Sequence, residues 1–259
     1  LCAVKRHIPF EITKEEAWNL FEQQSRKCAL TGIELTMYKW EDRKNIGNAS
    51  LDRIDSNRSY TVENVQWIDK CLQPIKLNWE QSEFIQTCKD VARHAEEKNI
   101  GRIFPNLLSE EKSEEKFEFK GNKHAQWKGC GEIGQTTWYR IKQNAQRREI
   151  ELSIAIDYVW DIFLKQNRKC ALTGKILRMR YYKGRKEYGN ASLDRIDSSK
   201  GYVNGNVQWI DKKLQHIKRN LTDAEFIAIC KKVAAYQIEK LGIPSFKQWA
   251  KKTVQKGSS

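Results

Sequence analysis

The chain has 259 residues, 47 of them Lys or Arg against 33 Asp or Glu, for a formal net charge of +14. No apolar run approaches the roughly 18 residues that a membrane span needs, and nothing reads as a signal peptide. That excludes a membrane partner from the expectation and leaves room for two modest domains. A chain this basic, with nine Trp and nine Tyr, is drawn to polyanions, of which nucleic acid is the commonest. The plainer alternative is a lysine-rich surface that serves solubility.

Seven cysteines are present, and none sits in a Cys-x-x-Cys pair. No structural zinc is therefore expected, and reduced, mostly buried thiols fit better. With no leader in view, a cytoplasmic setting is expected, whether bacterial, phage or organellar and nucleoid-associated. The chain opens on Leu1 and its first copy of a repeated unit starts abruptly, which points to a fragment of something longer.

Thr13-Lys14-Glu15-Glu16 reads as a capping box, and Ala17, Trp18, Leu20 and Phe21 continue it as a helix to about Gln24. Cys28-Ala29-Leu30-Thr31-Gly32 is a strand or a tight turn. Met37 to Asn48 suggests a hairpin loop. Ala49 to Ile54 alternates as a strand with Asp52 near its end. Val65 to Lys76 predicts a helix with Asp69, Gln73 and Lys76 on one face and Val65, Ile68 and Leu72 on the other, interrupted by Pro74.

Ser109 to Lys116 is almost wholly charged and reads as linker, giving units at 1–100 and 117–259 joined by 101–116. Thr136-Thr137 suggests a cap for a helix through Arg148 that carries Trp138 and Ile141 on one side. Arg140, Lys142, Arg147 and Arg148 make its other side basic, either a DNA-docking element or a solvated face. Thr222-Asp223-Ala224-Glu225 is a further capping box. The Trp residues at 18, 67, 160 and 209 are expected to be helical core anchors.

The organising feature is a repeat. Ala49-Ser50-Leu51-Asp52-Arg53-Ile54-Asp55-Ser56 recurs as Ala191 to Ser198, and Asn64-Val65-Gln66-Trp67-Ile68-Asp69-Lys70 recurs as Asn206 to Lys212. From Phe21 to Cys88 against Phe163 to Cys230 the offset is constant, and roughly 40 of about 68 positions are identical.

Cys170-Ala171-Leu172-Thr173-Gly174, Ser192 to Ser198, Gly201-Tyr202 and Gly205-Asn206-Val207-Gln208-Trp209 carry a resemblance to a known family. With Trp127-Lys128-Gly129 and Trp138 to Lys142, they resemble the HNH, or His-Me finger, endonucleases of the phage and intron-homing type. The likeness covers about 116–235 and, in the first copy, about 5–93. It implies an α+β fold: two tandem ββα-metal cores flanked by helices. It also implies DNA hydrolysis with Mg²⁺ or Mn²⁺, the metal offsetting charge on the phosphate while a base deprotonates water.

Carried over by position, the metal ligands would be Asp52, Asp69 and Gln73 in one copy and Asp194, Asp211 and Gln215 in the other. Where the family has its catalytic His stand Arg53 and Arg195, and arginine is no base at neutral pH. Candidates for the acid–base role are then Asp52, Asp55, Asp194, Asp197 and His216. Candidate DNA contacts are Arg53, Arg195, Lys128, Arg140, Lys142, Arg147, Arg148 and Lys218. Two readings follow. One is a metal-dependent endonuclease acting as a monomeric pseudo-dimer on double-stranded DNA. The other is a degenerate DNA-binding module on the same scaffold, possibly within a larger assembly. An Asp–Arg pair that only holds a hairpin together remains the structural alternative.

Overall fold

A computed structural model describes residues 8–37, 47–103, 129–179, 181–183 and 186–242. The architecture is α+β, with helices around small antiparallel sheets. Two compact units form, one from Leu1–Ala92 with Ala228–Ser259, the other from Arg93–Ile227. Among the described residues no helix is long and apolar enough to cross a membrane. The expected linker beyond residue 103, and Lys128, lie outside the described residues.

In the first unit, α1 (Lys14–Gln23) starts at the Thr13/Glu16 capping box as expected, with both reciprocal bonds formed. Strands β1 (Ala49–Arg53) and β2 (Val65–Asp69) pair antiparallel, Asp52 opposite Gln66 and Ala49 opposite Asp69. A 3₁₀ turn at Lys70–Leu72 leads to the single-turn α2 (Gln73–Lys76), and α3 follows (Gln81–Ile103), its residues from Arg93 belonging to the second unit. Phe21 packs edge-on against Trp67, whose indole N–H donates to the Ala17 carbonyl. Gln24 caps the outer edge of β2, its side chain both accepting from and donating to the Trp67 backbone. Gln237 donates to the Ala29 carbonyl within the same unit.

The second unit repeats this plan. After α4 (Gln135–Arg147) and α5 (Ile156–Lys165) comes a short hairpin of β3 (Tyr181–Lys183) and β4 (Lys186–Tyr188). Strands β5 (Ala191–Arg195) and β6 (Val207–Asp211) then pair with Asp194 opposite Gln208, the same register as β1 and β2. Helix α6 (Lys212–Lys218) and the start of α7 (Asp223–Glu239), whose residues from Ala228 belong to the first unit, complete the order. Gln166 grips the Trp209 backbone as Gln24 grips that of Trp67. The entrance to α4 is anchored by close approach: a Cβ on Gly131, at φ +54°, would lie 2.0 Å from the Trp160 ring. Beside it the buried Glu132 accepts from Arg168, which lies over the same ring.

Four expectations change. Val65 to Lys76 is not one helix: Val65–Asp69 is β2, since its β-branched and aromatic run pairs with β1 and is buried on both faces. Pro74 does not interrupt a helix but stands in the first turn of α2, where its missing N–H costs nothing; the matching stretch in the second unit is continuous helix. Trp67 and Trp209 lie on strands, and Trp18 is 48% exposed instead of a core anchor. The α4 cap falls on Gly134, ahead of the expected threonines. For the expected hairpin loop in the first copy, residues 38–46 lie outside the described residues. Phe163, fully buried under Trp209, should cost about 3–5 kcal/mol when changed to Ala, by chemical denaturation. Trp18→Ala should cost under about 1 kcal/mol.

Candidate functional site

The hairpin and the helix after it converge on a buried ion pair. Lys218, at the end of α6, is fully buried, and its ammonium lies 2.9 Å from Asp194 Oδ2. The same nitrogen donates to the Arg195 carbonyl at 2.5 Å and lies 3.2 Å from Asp223 Oδ1. An ammonium has three N–H bonds, and here three oxygens receive them. Gln208 closes the network, its amide donating to Asp194 and to both oxygens of Asp223. The first unit holds the same arrangement with one change. Lys76 lies 3.0 Å from Asp52 Oδ2 and donates to the Arg53 carbonyl at 2.7 Å, and Gln66 donates to Asp52. Gln81, not an acid, takes the position of Asp223 and accepts from Gln66. Burial raises the pKa of Asp52 against the opposing pull of Lys76, and burial likewise raises that of Asp223.

Asp194 is buried at this pair, and Lys218 is spent on it. The expected role of Lys218 as a DNA contact is therefore corrected: an ammonium with no solvent exposure does not reach a phosphate. Arg53 and Arg195 also turn inward. Arg195 donates to the Ser198 and Lys200 carbonyls and lies over the Tyr202 ring, while Arg53 does the same with the Arg58 carbonyl and Tyr60. They brace the loop between the strands, so the reading of an arginine that holds a hairpin together fits them, with carbonyls in place of the bidentate carboxylate.

The expected ligand sets do not assemble. Asp211 stands opposite Ala191, three residues along the strand from Asp194, so the two acids point to opposite faces roughly 10 Å apart. Two oxygens on one Mg²⁺ lie within about 4.2 Å of each other, given ligand distances near 2.1 Å. Asp211 instead caps α6 through the Lys213 amide and accepts from Asn190. Asp69 does the same at Cys71 and Asn48. Gln215 bonds Ser192 and the Leu193 carbonyl, and Gln73 the Leu51 carbonyl. Among the described residues no group of three or more His, Cys, Asp or Glu is placed to share a metal. The expected ligands thus do not converge on one divalent ion.

Asp197 and Asp55 are turn formers. Asp197 accepts from the Ser199 hydroxyl and amide, which lower its pKa and make it a weaker base, and Asp55 accepts from the Asn57 amide. Asn64 and Asn206, given no role by the sequence reasoning, tie these loops shut through bonds to both ends. Their position in the repeated Asn-Val-Gln-Trp words was the available signal.

Beside the ion pair in the second unit lies a groove of about 610 Å³. One face of α4 lines it through Thr137, Arg140, Ile141, Asn144 and Arg148, a helical stripe. Strand β5 forms its floor, and His216, Arg219 and Asn220 its far wall. Arg140, Arg148 and Arg219, with Arg195 at the floor, therefore stand around one lining acid, Asp194, which is paired with Lys218. Of the expected contacts, Arg140 and Arg148 reach this groove, while Lys142 and Arg147 are exposed elsewhere on α4. His216 is an exposed wall residue. Arg219, which the sequence reasoning passed over, joins them because it follows the last turn of α6.

Comparison with family models, curated proteins and solved structures found no match to this chain.

Removing the ammonium leaves buried carboxylates uncompensated, so Lys218→Met should destabilise the chain by about 3–5 kcal/mol. Adding Asp194→Leu and Asp223→Leu to that variant should recover most of the loss, which a denaturation series on the single and combined variants would measure.

Proposed function

We propose that the second unit binds nucleic acid, double-stranded DNA foremost, as a module on a ββα scaffold of the HNH type that holds its substrate without cutting it. The observation that carries this reading is the arginine-walled groove. Arg140, Arg148 and Arg219 line a cleft whose single lining acid, Asp194, is paired with Lys218, so cations outnumber acids along its walls and the local field is positive. A phosphate backbone fits this better than a small anion, because the cations are spread along a helix and a facing wall. The net charge of +14 acts in the same direction over a longer range.

The endonuclease reading rests on the resemblance of the repeated words. It asks for a base beside a metal-bound acid, and the side chains at those positions are committed to the ion pair, the helix cap and the loop. Two copies of the scaffold in one chain suit a pseudo-dimer that addresses two half-sites.

Fluorescence anisotropy with a labelled duplex tests the groove. Affinity should fall steeply with salt. Arg140→Ala, Arg148→Ala or Arg219→Ala should each weaken binding several-fold and reduce the salt slope by about one. Lys142→Ala, outside the groove, should change it less than any of the three. If all three groove variants bind like wild type, the assignment of the groove is wrong.

A further inference from the structure

We infer that Lys76 and Lys218 are built-in cations, each occupying with a side-chain ammonium the oxygen cage that a ββα site would offer to a divalent ion. In the second unit three oxygens from two strand residues and one helix residue converge on a single nitrogen, at 2.5, 2.9 and 3.2 Å. Two are carboxylate oxygens and one is a backbone carbonyl, the donor chemistry of hard cations. A metal at Asp194 Oδ2 would have to displace the ammonium of a fully buried lysine. The lysine recurs at the same repeat position, against the same strand acid and the same strand carbonyl. Each unit thus carries a covalently attached cation against its strand acid.

The two cages are unequal. Around Lys218 two carboxylates face one ammonium, whereas Lys76 pairs with Asp52, and Gln81, bonded to Gln66, stands at the position equivalent to Asp223. Removing the ammonium therefore leaves a dicarboxylate cage in the second unit but a single carboxylate in the first. Only the second has the charge to draw in a divalent ion.

The test is Mn²⁺ binding to the full chain without nucleic acid, followed by the electron paramagnetic resonance of free Mn²⁺ and by thermal melting. Wild type should take up no stoichiometric Mn²⁺, and its melting midpoint should be the same in EDTA and in Mn²⁺. Lys218→Ala should bind a single equivalent and melt higher with Mn²⁺ than in EDTA, while Lys76→Ala should do neither. Stoichiometric Mn²⁺ on wild type, lost in Asp194→Asn or Asp52→Asn, would overturn the inference. So would a folded Lys218→Ala chain that ignores Mn²⁺. Should Lys218→Ala not fold even with Mn²⁺, the wild-type measurement decides alone. Because no nucleic acid is present, the result is independent of the proposed groove.

Discussion

The structure of each unit depends on one buried ammonium–carboxylate contact. Lys218 joins the end of α6 to β5, to the start of α7 and, through Gln208, to β6. Taking both charges out of water costs several kcal/mol per ion, and only near-complete hydrogen bonding offsets it. Here every N–H of the ammonium has an acceptor, and the Gln208 amide serves the oxygens of both acids. The pair therefore acts as a positional lock. Slipping the hairpin by one residue would turn Asp194 to the opposite face and leave the lysine buried alone.

With that lock set, the remaining polar residues fall into supporting tasks. Asp211 starts α6 where β6 ends, which fixes the distance from the strand to Lys218. Arg195 and Asn206 hold the loop between the strands closed, and Gln166 fastens β6 to α5. The groove is a by-product of the same geometry: α4 is held by Gly131, Glu132 and Arg168 so that its arginine stripe faces β5.

Local signals in the sequence were legible. The capping boxes at Thr13 and Thr222 form as read, because their partners lie three residues away. The stretch from Val65 is ambiguous in sequence, since Val65, Ile68 and Leu72 satisfy a helical period while Val65-Gln66-Trp67-Ile68 also suits a strand. Pairing with β1, which is non-local, decided between them. Lys218 was read as a DNA contact because a lysine near a helix end is ordinarily exposed. What buries it is a pair of acids from two other elements. Arg140 and Arg148 were legible as a basic helix face, but Arg219 was not, as only folding brings it opposite them.

If, as we propose, this scaffold binds nucleic acid with its acids locked away from catalysis, binding occurs without cleavage. The most direct measurement is incubation of the chain with supercoiled plasmid and a pooled random-sequence duplex, in Mg²⁺, in Mn²⁺ and in EDTA. Products are read both as retarded complexes and, after deproteinisation, as nicked or linear DNA. Retardation in all three conditions with the DNA intact afterwards is the predicted result. Metal-dependent nicking that disappears in Asp194→Ala or Asp52→Ala would contradict it.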